Sequence, residues 1–149
     1  MIQLLKQCIL SFGYCLFVSW WFIRRPQTRG AKCVILHDIN VLLVRPAYGH
    51  KLWTIPGGGV HKHETFLEGA LRELKEETGV ETGLTYFYAY RQSREFKHDT
   101  VQCFYGQVDD ATVVVDNFEI IDYQWFSLES LPDDRSSSVS KILAALPRA

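Results

Sequence analysis

Apolar and polar residues change rhythm along this chain, and each change marks an element. From Ala31 the run "AKCVILHDINVLLVRP" sets two aliphatic, β-branched stretches on either side of Asp38-Ile39-Asn40, which predicts a hairpin closed by a short polar turn. "LWTI" then predicts a short strand, and Pro56-Gly57-Gly58-Gly59 a loop with a permissive backbone. A helix with both ends marked comes next: Thr65 and Glu68 form a capping-box pair, and Gly79 supplies the left-handed residue that stops it. "LTYFYAYRQ", "TVQCFYGQV" and "YQWFSL" predict three more strands, and Ser138 to Leu146 a closing helix. Strands on both sides of one strong helix, with a second helix at the end, predict an α/β layered domain built on a mixed sheet.

The strong helix carries an electrostatic oddity. On a wheel of about 100° per residue, Phe66, Leu67, Ala70, Leu71 and Leu74 share an arc of about 140°, which predicts the buried face. Glu73, Glu76 and Glu77 straddle the edge of that arc, while Glu68, Arg72 and Lys75 fall on the solvated side. Like charges three and four apart repel by roughly 0.2–0.5 kcal/mol per pair, and half-buried carboxylates need hydrogen bonds or a cation. Arg72 can pair with Glu76 at i, i+4 but cannot satisfy all three acids. Clustered hard oxygen donors without Cys or His point to Mg²⁺ or Mn²⁺ rather than zinc.

Composition changes the picture little, and charge more. The chain has 149 residues, 47% hydrophobic and 22% charged, which fits one globular domain. Its net charge of −1 hides a split: residues 1 to 32 hold Lys6, Arg24, Arg25, Arg29 and Lys32 and no acid, so the remainder is acidic, which argues against a general nucleic-acid surface. Cys8, Cys15, Cys33 and Cys103 make no C-x-x-C pair, so reduced thiols in a cytoplasmic domain are expected rather than zinc ligands or disulfides.

Between Lys6 and Arg24 lie seventeen uncharged residues, "QCILSFGYCLFVSWWFI", about 25 Å as a helix against a hydrocarbon core of about 30 Å. Trp20, Trp21 and Phe22 before Arg24-Arg25-Pro26 disfavour a cleaved signal. The expectation is an extra hydrophobic, basic helix over residues 1–28, either interfacial or docked on the domain or a short signal anchor, with the domain at 29–149. Membrane association would then run through residues 1–25.

Gly58, five residues, Glu64, seven residues, then Arg72-Glu73-Leu74-Lys75-Glu76-Glu77-Thr78-Gly79-Val80 resembles, at every defined position, the signature box of the Nudix hydrolases, the MutT-like pyrophosphatases. A chance match to its seven fixed and two aliphatic positions is on the order of one in a billion per starting point. The resemblance extends more loosely from about Ala31 to Leu131. It implies a Nudix fold, an α/β/α sandwich around a mixed sheet, and Mg²⁺-dependent hydrolysis of a nucleoside diphosphate linked to another moiety, such as a nucleoside triphosphate or nucleotide sugar. It further implies Glu73, Glu76 and Glu77 as metal ligands joined by the Gly58 carbonyl, with Glu119, six residues before Trp125, as a further ligand or the general base. Glu73, Glu76 and Glu119 are the catalytic candidates; Glu64 is expected to be structural. The rival class is a catalytically silent Nudix module that binds a nucleotide or a protein, although such modules usually lose a box glutamate.

Substrate contacts are less legible. Gly57 and Gly59 would admit close approach to phosphate, and Arg45 and Arg91 are candidate phosphate contacts, with Arg94 and Lys97 beyond. Tyr86, Tyr88 and Tyr90 are expected on one strand face, to stack a base or to pack the sheet. The proline of ADP-ribose hydrolases is missing, and Phe96 stands where diadenosine polyphosphate hydrolases carry tyrosine. The expected partner is a small nucleotide; a homodimer is left open.

Overall fold

The computed structural model describes residue 13 and residues 27–94, 97–115 and 118–147. Five strands form one sheet: β1 Gln27–His37, β2 Asn40–Pro46, β3 Thr85–Arg94, β4 Lys97–Gln107 and β5 Ile120–Ser127, in the order β3-β4-β1-β2-β5. β1 runs parallel to β4 and every other pairing is antiparallel, so the sheet is mixed. The expected hairpin is present, with Asp38 taking the left-handed turn conformation at φ 52°.

Alternation along β1 sorts the core into two layers. Ala31, Cys33 and Ile35 pack with Leu42, Phe104, Ala70 and Leu74 beneath α1, Phe66–Thr78. On the opposite face Val34 joins Val41, Leu43, Val101 and Cys103 beneath Val139 and Ile142 of α2, Ser137–Ala144. Helices thus cover both faces of the sheet. α1 starts and stops as its sequence predicts: Thr65 and Glu68 close the capping box, and Gly79 caps at φ 68° with its N–H donating to the Lys75 carbonyl.

Three expectations change. Leu67 and Leu71 are exposed, because α1 lies on the sheet along Phe66, Ala70, Leu74 and Thr78 and turns Gly69, not leucine, against Val60. That turn moves Glu73 and Glu77 toward the middle of the buried arc. The tyrosines do not share a face: a bulge between Tyr86 and Tyr88 sends Tyr86 against Phe104, while Tyr88 and Tyr90 pack on the α2 side. "LWTI" makes no strand, only single bridges from Thr54 to Val44 and from Trp53 to Arg135.

The helix expected over residues 1–28 lies, but for Gly13, Gln27 and Thr28, outside the described residues. Among the described residues no helix is long and apolar enough to cross a membrane.

Candidate functional site

The site forms where the sheet splits. β1 pairs with β2 only at its end, through Leu36 with Val41 and His37 with Asn40. Upstream, its free edge is taken by the glycine loop: the Cys33 N–H donates to the Pro56 carbonyl at 2.9 Å, the Ala31 N–H to the Gly58 carbonyl at 3.0 Å, and the Val60 N–H to the Arg29 carbonyl at 2.9 Å. Residues 53–60 therefore wedge between the two strands. The wedge requires glycine at position 57. Gly57 sits at φ +129°, and a Cβ there would fall 2.2 Å from the Ala31 carbonyl oxygen. At Gly58 a Cβ would lie 2.6 Å from Glu73 Oε2, so the loop backbone rests against that carboxylate.

Arg72 organises the helix side. Expected in solvent, it instead folds back half-buried, because acceptors surround it. Nε and Nη2 grip both oxygens of Glu64 at 2.7 and 3.0 Å, Nη2 also reaches the Gly59 carbonyl at 2.8 Å, and Nη1 donates to Glu73 at 2.7 Å and Glu76 at 3.0 Å. The Arg72 hydrogen bonds, helped by the His61 N–H, pull the Glu64 carboxyl down to about 2. Glu64 thereby ties loop to helix.

Glu77 points the other way. Its Oε2 accepts from the Gly57 N–H at 2.7 Å, and burial pushes its carboxyl up to about 7, with Glu73 and Glu119 adding to the shift and Lys32 opposing it. Lys32 Nζ donates to the Ile55 carbonyl at 2.8 Å and the Gly57 carbonyl at 3.0 Å; burial lowers its pKa against the pull of Glu77. The half-buried Tyr48 completes this side: its hydroxyl is pushed up to about 12 by burial first, then by Glu77, Glu119 and Glu73. Glu119, whose carbonyl accepts from the Ala47 N–H at 2.8 Å, is thus within electrostatic reach of Glu77.

The remaining candidates are spread out. Arg45 pairs with Asp134 at 2.6 Å, donates to the Lys51 carbonyl and stacks over Trp53, bracing a corner on the α2 side. Arg91 is exposed on β3 opposite Thr100, which in turn pairs with Arg29 of β1. Gly59 borders open space. His61 and His63 are exposed. Among the described residues no three carboxylate, imidazole or thiol groups converge on one point as a metal cage. Arg72 Nη1 takes one oxygen each of Glu73 and Glu76, and the Gly57 N–H takes one of Glu77. Sequence reasoning missed Lys32 and Tyr48; no local pattern marks either, since both reach the site only through tertiary pairing.

Comparison with known proteins gives the site a context. The NUDIX domain family matches residues 26–146. A Bacillus subtilis (strain 168) protein named "Putative 8-oxo-dGTP diphosphatase" is 30% identical over 105 residues, covering 70% of each chain. The "NAD-capped RNA hydrolase NudC" of Vibrio atlanticus (strain LGP32) is 31% identical over 106 residues, 68% of this chain but 39% of that protein, so the chain spans well under half of this relative. A crystal structure of a MutT NUDIX hydrolase from Burkholderia pseudomallei superimposes with a TM-score of 0.75 over 81% of this chain and 98% of that one, at 20% identity, which speaks to the fold.

Proposed function

This chain belongs to the NUDIX domain family, and on that premise we propose that it hydrolyses the pyrophosphate bond of a nucleoside diphosphate linked to another moiety, with Mg²⁺ or Mn²⁺. The observation that carries the proposal is the complete acidic set. Glu73, Glu76 and Glu77 sit on the last turns of one helix, Glu73 against Gly58 and Glu77 against Gly57, with Glu119 in electrostatic reach. The donors suit a hard divalent cation, because all are oxygens and because the buried Glu77 carboxyl sits high among like charges that such a cation would relieve. Glu73, Glu76, Glu77, Glu119 and the Gly58 carbonyl, which has a lone pair beyond the one taken by Ala31, would hold it. When bound, the cation neutralises phosphate charge and lowers the pKa of a water.

The chain's own groups do the rest. Gly57 and Gly58 bring backbone close to the phosphates, Arg72 orients Glu73 and Glu76, and a carboxylate accepts the proton of the attacking water. Glu73 and Glu119 are the candidate bases. The substrate class includes nucleoside triphosphates, nucleotide sugars and related diphosphates, and the relatives' names add an oxidised deoxynucleoside triphosphate and an NAD-capped RNA. A panel of these with Mg²⁺, run on the wild type and on Glu76→Gln, Glu73→Gln and Glu119→Gln, tests the reading. Expected is turnover of at least one substrate by the wild type and a loss of about 100-fold or more in kcat for Glu76→Gln, with the deeper loss between the other two marking the base. Turnover of nothing, or equal turnover by wild type and Glu76→Gln, overturns it.

Association of residues 1–25 with a membrane belongs to the proposal, carried by the apolar, basic composition of that segment. Recovery of the full chain in the soluble fraction without detergent would count against a spanning segment.

A further inference from the structure

We propose that Lys32 is a positioning residue of this site, one that fixes the 55–58 backbone and, through the Gly57 peptide, sets Glu77 and Gly58 in register with Glu73. The inference rests on the proposed function for its purpose and on the geometry alone for its substance. Lys32 lies in β1, near the middle of the sheet, between the fully buried Ala31 and Cys33, on the same face as Val34. A lysine there is costly to desolvate unless its ammonium is paired, so packing alone does not account for it.

The partners explain the choice. Along residues 55–58 every carbonyl is taken, and in alternation: Pro56 by the Cys33 N–H, Gly58 by the Ala31 N–H, and Ile55 and Gly57 by Lys32 Nζ. Lys32 supplies the donors that a second neighbouring strand would otherwise provide. Gly57 is then gripped at both ends, its carbonyl by a cation and its N–H by the Glu77 carboxylate. The next residue, Gly58, rests on Glu73. Moving Gly57 therefore disturbs the fit of the loop to two of the three candidate ligands on α1, Glu73 and Glu77.

Lys32→Met keeps an apolar stem and removes the donors; Lys32→Gln keeps an uncharged amide N–H₂ donor on a shorter stem. Three readouts on the full chain separate positioning from bulk structure. Exchange of the Gly57 amide with solvent, followed by NMR without metal or substrate, should accelerate at least ~10-fold in Lys32→Met while α1 amides keep their protection. Mn²⁺ affinity, read from the paramagnetic resonance of the free ion, should weaken by about 10–100-fold, and kcat should fall by a similar factor with KM within ~3-fold of wild type. Lys32→Gln should fall between, and it carries the test if Lys32→Met does not fold. Unchanged Gly57 exchange, or a raised KM at constant kcat as a direct substrate contact would give, overturns the proposal. If the wild type turns over nothing, the pyrophosphatase reading fails while Gly57 exchange still decides Lys32.

Discussion

Glu64 and Glu77 lie thirteen positions apart in the same box, yet their carboxyls are held near about 2 and about 7. The side chain is identical, so the difference belongs to the surroundings. Glu64 meets a bidentate guanidinium at a rim open to water, and the charged form is favoured. Glu77 turns inward, has one amide donor, and faces Lys32 only across a peptide, so desolvation prevails. The Arg72 hub thus serves to gather acids against their own repulsion, while the Gly57 strap serves to keep one acid poised in a dry place.

Breaking the strap at its tightest point should have the largest effect. Gly57→Ala meets both a disallowed φ and the Ala31 carbonyl, so about 3 kcal/mol or more of stability should go, measured by urea unfolding, with no detectable turnover. Breaking the hub should cost activity more than fold: Arg72→Ala frees Glu64, Glu73 and Glu76 to repel, and kcat/KM should fall about 10–100-fold. Arg72→Lys should recover little of it, because one ammonium cannot span the same fork of acceptors.

Acid sharpens the contrast. Glu64 has a folded pKa depressed below its unfolded value of roughly 4.3, so its contribution to stability is complete above that pH and is lost as pH falls toward about 2. Glu64→Gln should flatten the unfolding free energy across that window. The smallest effect is expected on the solvated flank of α1, where Leu71→Ala should stay within about 0.5 kcal/mol, whereas Leu74→Ala in the core should cost about 2–5 kcal/mol.

What the sequence displayed was whatever lies close along the chain. The caps of α1 and the hairpin at Asp38 depend on neighbours within a few residues, and each is where its pattern puts it. A wheel could not reveal that Gly69 faces Val60 and leaves Leu67 and Leu71 outside, since that depends on which line of the helix meets the sheet. Tyr86 changed faces through a single inserted residue, to which an alternating pattern is blind. Lys32 and Tyr48 reach the box through pairings of more than twenty positions, and nothing in their own surroundings advertises a site.

The central strand also carries its own chemical reporter. Cys33 follows Lys32 and gives its thiol to the Ala70 carbonyl, and Cys103 is the register partner of Lys32 on β4; burial pushes both thiols up to about 12. Protonated and sealed, they are inert toward electrophiles while β1 stays seated. Alkylation at either one, mapped by peptide mass, therefore dates the moment at which the floor of the site opens, at a thiol the chain already carries.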